Sequence, residues 1–522
     1  MKHSPTESIK AFIGRNRIAC IGAFAAFVCG LITHLYMITN KFYNYFEMGN
    51  IFSTMPYEKS DTLAMGRVFL PIVTAISGYF GSAAINGLLV LTVLSLAAYM
   101  LVDCLKLRTA LFAALAGGIV VTFPGVASYL SYGVNSDLFC ISMCLAVGAV
   151  WLTQKYRWGY IGGVICMCIS LGCYQPFLSV AIAVVYAVLF MDVLRREVPW
   201  KELVLNALKY LGMMIAGFVL YYVILQIALK VTGITMGSYH GVDEMTSFTV
   251  KGIVKGFVYA YIYFLRYFFT PAYNNGIIPT VANYVIAVVM IALLVKAFRD
   301  KKAGKMQIVL LFCLLPLGVN ASPFLMGDRV GSGVDNYMIF SVIVTYLLLL
   351  AIVEFSGKES VGSKRRGYTA EWITMIGCVV TVVSGFYVCN MAYHRLDAAT
   401  QEVATFLNRA AMRIEERQEW QEGMPVYFAG SSQIFNDYYE VSIPEFEQLQ
   451  NVSGTEIKPW YSYEAIYKYM QEYLHFPLGE VTKEQMALIE ASDELAQMPL
   501  YPAEGAIAEI DGVLVIKMGS PE

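Results

Sequence analysis

A short set of polar side chains stands out because almost everything around it is apolar. The carboxylates Glu47, Glu58, Asp61 and Asp137, the arginines Arg67, Arg266 and Arg329, the amides Asn44, Asn135 and Gln175, and Tyr174 and His240 lie in or beside gaps between long apolar runs. A carboxylate at such a mouth can take a proton from a hydroxyl nucleophile. An arginine there can hold a phosphate through its planar fork of donors. Together these types suit transfer of a group from a phosphate to a hydroxyl, at the depth of a lipid head group. Asn44, Asp61, Asn135, Tyr174, Gln175 and His240 are the polar side chains placed to bind a substrate.

Each of these residues also has a structural reading. Glu58 and Asp61 read equally as solvated loop charges. Asp137 follows Asn135-Ser136 at the mouth of a span and can cap that helix. Gln175 stands before Pro176 between two spans and can satisfy backbone groups freed by the proline. Arg67 after Gly66 is harder to dismiss, because an unpaired cation opening an apolar stretch is expensive. His240 with Asp243 and Glu244 could hold a divalent ion, but the spacing is not a strong ligand pattern, and no metal or other cofactor is expected.

The elements that must position these residues are membrane helices. The chain has 522 residues, of which 57% are hydrophobic and 15% charged, with a mean hydropathy of +0.57. No soluble domain of that length has such a composition. A hydrocarbon core ~30 Å thick needs about 20 apolar residues as a helix. About eleven runs qualify: roughly 18–39, 83–103, 109–126, 136–154, 158–173, 175–193, 205–232, 279–297, 307–326, 336–354 and 371–391. The expected fold class is an all-α polytopic membrane protein carrying a small C-terminal α/β domain, divided as residues 1–394 and 395–522.

Charge sets the expected orientation. Lys2, Lys10, Arg15 and Arg17 precede the first span, and Lys106/Arg108, Lys155/Arg157, Arg195/Arg196/Lys201, Lys296 to Lys305 and Lys358 to Arg366 fill alternate loops. Basic loops are retained in the cytoplasm. The loops at about 40–82, 127–136, 173–176, 233–278 and 326–335 then lie outside, and an odd number of spans puts 395–522 outside as well. The segments Arg67 to Phe80 and 251–271 read as interfacial or re-entrant helices on that outer face. The first span is too long for a cleavable signal and lacks a small-residue cleavage site after it. The chain is expected in the cell membrane, with its N-terminus cytoplasmic.

In the C-terminal part, Leu396, Val403, Phe406, Leu407, Ala410 and Ile414 have the spacing of one helix face. Met424 to Ala429 reads as a strand, Glu484 to Leu495 as a helix, and Ile507 to Met518 as a hairpin turning at Asp511-Gly512. All eleven cysteines lie in or beside apolar spans and none in 395–522, so that domain folds without disulfides. Cys166-x-Cys168 has no companion ligands. A formal net charge of −2 leaves no nucleic-acid footprint.

Four pieces together resemble the GtrII-type glucosyltransferases, a family of polytopic membrane proteins. They are Asn40-Lys41-Phe42 with a downstream acid, Gly66-Arg67, Tyr132-Gly-Val-Asn-Ser-Asp137 leading into Leu138-Phe139, and Ser170-Leu-Gly-Cys-Tyr-Gln175. Order and spacing match over roughly 20–200, more weakly to about 390. The resemblance implies a GT-C-like membrane fold, a polyprenyl-phosphate-linked sugar as donor, glucose as the sugar, and an outward-facing cell-surface glycan or lipid such as O-antigen as acceptor. The family carries paired aspartates in the first outer loop, whereas at Phe46-Glu47 this chain has only Glu47. Either Glu47 alone is then the base, or Asp61 or Asp137 takes over, or activity is altered; Glu47 is the first candidate and Asp137 the second, and the residues put Arg67, then Arg329 or Arg266, on the donor phosphate.

The residues alone favour the same class. A transferase using a lipid-phosphate donor needs an apolar surface, a cation and a carboxylate, and it needs no Gly-rich nucleotide loop; none is present. The rival readings are a transporter or flippase of an envelope glycolipid and an envelope scaffold. The absence of an internal repeat and the few charges inside the spans weigh against transport.

Overall fold

The apolar runs fold as helices, because in a hydrocarbon core each backbone N–H and C=O must be paired within the protein. The structure, a computed structural model, describes residues 5–42, 44, 59–79, 81–237, 249–273, 276–300, 304–326, 334–359, 364–430, 449, 452–455 and 463–519. Among them, eight helices are long and apolar enough to cross a membrane: Arg17–Thr39, Ala83–Cys104, Gly133–Lys155, Gln175–Arg195, Trp200–Thr232, Ile277–Asp300, Asn336–Ser356 and Thr369–Glu415. These coincide with eight of the eleven expected runs.

The other three runs are helical but interrupted or short. The run at 109–126 is a pair, Ala110–Thr122 and Pro124–Ser131, bent by 43°. Pro124 sits in the first turn of the second helix, where its missing N–H costs nothing, and it ends the first by removing an internal donor. The run at 158–173 is Gly159–Cys173, 15 residues long. The run at 307–326 is three pieces, Lys305–Cys313, Leu315–Val319 and Ser322–Met326, with Pro316 and Pro323 at the breaks. By length and composition, the described helices therefore give eight spans, or nine if the bent pair counts as one.

The segment 251–271 is one helix, Val250–Phe269. It packs on the broken run: Asn320 Nδ2 donates to Ala260 O at 3.1 Å and Tyr261 Oη to Cys313 O at 2.7 Å. Elsewhere helices meet backbone to backbone. A Cβ on Gly117 would collide with the Gly22 carbonyl, so these small residues let Arg17–Thr39 and Ala110–Thr122 cross closely.

The helix Ala83–Cys104 defines two ends of the bundle. Near one end Asn86 Nδ2 donates to Gly133 O at 2.8 Å; at the other Asp103 meets Lys155 at 2.5 Å and the Trp151 indole N–H at 2.6 Å. The second end is the basic one. Arg195 donates to Leu105 O, Arg196 pairs with Glu202, and Glu354 accepts from the Arg108 N–H and the Thr109 hydroxyl.

The last helix, Lys364–Glu415, has 52 residues. At 1.5 Å per residue it is about 78 Å long, more than twice a ~30 Å hydrocarbon core, so it must run on beyond the bundle. The division expected at 394/395 falls inside it. Leu396 still packs in the bundle core, whereas Val403, Phe406, Leu407, Ala410 and Ile414 pack on a sheet.

That sheet has three strands, β1 (Val426–Ala429), β2 (Ile507–Ile510) and β3 (Val513–Lys517), in the order β1-β3-β2. β1 runs parallel to β3, and β2 pairs antiparallel with it through the turn Asp511-Gly512, both residues at positive φ, as a two-residue hairpin turn requires. Side chains alternate across the sheet. Val426, Phe428, Leu514 and Ile516 face the long helix; Tyr427, Ala429, Val513 and Val515 face Ile489 and Leu495 on the other side. All eleven cysteines are free thiols.

Candidate active site

Three of the four sequence pieces interlock at the end of the bundle opposite the basic one. Gly66, at φ 70°, turns the chain out of the helix Lys59–Ala64, and the Arg67 N–H donates to Thr62 O at 2.8 Å. The turn is held from outside. Gln175 Nε2 donates to Gly66 O and Met65 O at 3.2 and 3.3 Å, and Tyr221 Oη donates to Gly66 O at 2.9 Å. Two residues past Arg67, the Phe69 N–H donates to Gly172 O at 2.9 Å. The break at Tyr174-Gln175-Pro176 thus supplies the donors and acceptors that seat the Gly66-Arg67 turn.

The Arg67 guanidinium lies over the ring of Tyr174, 5.5 Å from its centroid, a cation–π distance. Among the described residues no carboxylate pairs with it. The Tyr174 ring stands edge-on to Phe139 (4.9 Å) and Phe177 (5.1 Å) and near Tyr337 (6.3 Å), and Tyr337 lies 6.4 Å from Tyr132. Tyr174, Tyr337 and Tyr132 therefore form one aromatic group, with Phe139 touching all three, and the cation lies on its Tyr174 ring.

Asp137 is fully buried in the first turn of its helix. Its Oδ1 accepts from the Leu138 N–H and its Oδ2 from the Ser77 hydroxyl, both at 2.7 Å. The carboxylate so joins the helix terminus to the short helix Thr74–Ser77 that follows Arg67, where negative charge also suits the helix dipole. Ser142 and Ser170 exchange hydroxyl-to-carbonyl bonds of 2.9 and 2.8 Å, locking this helix to Gly159–Cys173. Asn135 is buried at the N-cap position beside Asp137. Asn44, from the first sequence piece, donates to Ser131 O at 2.8 Å and so reaches the same mouth.

The remaining candidates are placed differently. Arg266 stacks on Tyr273 at 5.7 Å, and its contacts among the described residues do not include the Arg67 group. Asp61 belongs to the helix Lys59–Ala64, one residue before the Thr62 that accepts from Arg67. Glu47, Glu58, His240, Asp243, Glu244 and Arg329 lie outside the described residues. Sequence reasoning missed Ser77, Tyr221 and Tyr337. Tyr221 reads as one more aromatic in an apolar run, and Ser77 carries no local signal; only the fold shows that they face polar partners.

Residues 35–382, about two thirds of the chain, match the family described as Glucosyl transferase GtrII. No curated protein and no solved structure matches the chain. The interlocked pieces around Arg67 all fall inside the matched stretch, while the sheet falls outside it. The chain is a membrane protein that belongs to the GtrII family of glucosyltransferases.

Proposed function

We propose that this enzyme moves glucose from a polyprenyl-phosphate-linked donor to a hydroxyl of a cell-surface glycan or lipid on the outer face of the membrane. The observation that carries the reading is Arg67. The fold fixes its backbone through Thr62, Gln175 and Tyr221 but leaves its guanidinium on an aromatic face without a carboxylate partner among the described residues. A cation held like that suits an anionic ligand better than an internal ion pair.

In this mechanism the guanidinium takes the donor phosphate through two parallel hydrogen bonds. A carboxylate takes the proton of the acceptor hydroxyl. Its oxygen attacks C1 of the glucose, the bond from C1 to the phosphate oxygen breaks, and the lipid phosphate leaves with the electron pair, its charge offset by Arg67. Glu47 is the preferred base, since both oxygens of Asp137 already accept hydrogen bonds in a buried site. Tyr174, Gln175, Asn135 and Asn44 shape the mouth. The basic end of the bundle then faces the cytoplasm, as retained Lys and Arg do, and the Arg67 end with the C-terminal domain faces out.

The test is transfer in proteoliposomes that hold the purified chain and polyprenyl-phosphate [14C]glucose. Radiolabel moving to an added surface polysaccharide supports the reading. Transfer from a nucleotide-linked glucose instead, with none from the lipid-linked donor, overturns it.

A further inference from the structure

The family match ends at residue 382, yet the Arg67 end of the bundle is completed by residues beyond it. Arg395, on the long helix Lys364–Glu415, is only 7% exposed. Its guanidinium donates to Leu449 O at 2.9 Å, to Val452 O at 3.0 Å, to the Thr455 carbonyl and to Thr455 Oγ1 at 2.6 Å. Burying a guanidinium is costly unless its donors are met. Here Leu449, Val452 and Thr455 meet four of them, which fixes those residues against the long helix.

The loop at 452–455 is seated on the membrane bundle. Ser453 Oγ donates to Asp335 Oδ1 at 2.8 Å, just before the helix that carries Tyr337. Leu449 and Val452 join the apolar core of the bundle. Gly454, at φ 83°, comes so close that a Cβ would collide with the Ser131 hydroxyl and the Tyr132 ring. Tyr132 belongs to the aromatic group whose Tyr174 ring lies under Arg67. The loop and the cation therefore touch different rings of one aromatic group.

We propose that Leu449 and residues 452–455 form the acceptor-side wall of the active site and that Arg395 is the positioning residue that holds them there. The inference rests on the reading of Arg67 as the donor-phosphate residue. With the donor phosphate on the Tyr174 side of this aromatic group, the acceptor is placed on its Tyr132 side, against the loop. A glycan suits that approach: its C–H faces would lie on the half-buried Tyr132 and Tyr337 rings and its hydroxyls would meet the polar rim at Ser453 and Asp335. Acceptor choice then belongs partly to a segment outside the matched family region.

The test uses full-length chain in proteoliposomes with polyprenyl-phosphate [14C]glucose, and as probe acceptor the purified surface polysaccharide of the cell that carries this chain. Variants are Arg395→Met, which removes the four bonds, and Gly454→Ala and Ser453→Ala, which disturb the seat of the loop but leave Arg395 in place. The acceptor KM should rise about tenfold in Arg395→Met and Gly454→Ala, the scale of one or two lost hydrogen bonds. The donor KM should stay near wild type. An unchanged acceptor KM in folded Arg395→Met overturns the inference. If that variant does not fold, an unchanged acceptor KM in Gly454→Ala does so. A wild-type chain that transfers nothing from the lipid-linked donor fails the underlying donor reading instead, and the inference with it.

Discussion

Replacing Arg67 by lysine keeps the positive charge and removes the fork. In the structure the guanidinium makes no ion pair among the described residues; its side-chain contact is the Tyr174 ring at 5.5 Å. That stack is worth roughly 0.5–2 kcal/mol, and an ammonium retains part of it, so folded yield should stay near wild type. The loss falls on the phosphate. A charge-assisted hydrogen bond is worth about 1.5–3 kcal/mol, and lysine can keep one of the two that the fork makes. Losing the other predicts a fall in kcat/KM for the lipid-linked donor of about 10- to 150-fold. Because negative charge develops on the leaving phosphate, most of the loss should appear in kcat rather than in donor KM. Arg67→Met, which also removes the charge, should fall further. The assay is single-turnover transfer of [14C]glucose in proteoliposomes carrying equal amounts of each variant. Arg67→Lys transferring at the wild-type rate, or losing activity only in proportion to folded protein, would refute the argument and turn attention to Arg266 or Arg329.

Three further outcomes are expected. Glu47→Gln should lose at least about two orders of magnitude in transfer, the usual contribution of general-base catalysis being 10²–10⁴-fold. Asp137→Asn should lose less, because the Asn oxygen can still accept from the Leu138 N–H while its amide N–H donates to the Ser77 hydroxyl; transfer rates measured side by side decide between the two bases. An impermeant thiol reagent applied to intact cells should label a cysteine placed at residue 418 and spare one placed at residue 107, and the reverse pattern would invert the proposed topology. Glu402 lies about 16 Å beyond residue 391 along the long helix, and burial pushes its carboxyl up to about 7 from 4.5. The protonated form is thus the one the fold favours, and its contribution is lost as pH rises from about 4.5 through 7. Thermal midpoints from pH 5 to 8 should fall for the wild type and stay flatter for Glu402→Gln; parallel curves would remove Glu402 as the cause.

Much of the bundle was legible because membrane helices must be long and continuously apolar, a signal that survives without knowledge of contacts. It weakened at Pro124, Pro316 and Pro323, where hydropathy ignores the lost N–H and one run becomes two or three helices. In the C-terminal part the two short apolar runs within 507–518 and the Asp511-Gly512 turn between them gave the hairpin, because a turn at positive φ is a local property. The parallel pairing of β1 with β3 was not legible, since it joins residues 88 apart, Val426 and Leu514, with no local mark of register. The apolar face from Leu396 to Ile414 read as one stripe, yet Leu396 serves the bundle and Val403 onward the sheet. A helix pattern reports which face is buried and not what buries it.

The site divides along the same line. Residue types marked Arg67, Asp137 and Gln175 as polar groups out of place, but the same marking could not separate chemistry from scaffolding. The contacts do. Gln175 spends its amide on Met65 and Gly66, Gly172 lends its carbonyl to Phe69, and Asp137 gives one oxygen to Ser77 and the other to its own helix. Three of the four pieces that resemble the family thus act largely as a frame for one turn. Among the described residues, the charged group that the frame presents without a carboxylate partner is the Arg67 guanidinium. A pattern of residues can therefore look catalytic while most of its members only fix a backbone, and the group to test first is the one the frame leaves over.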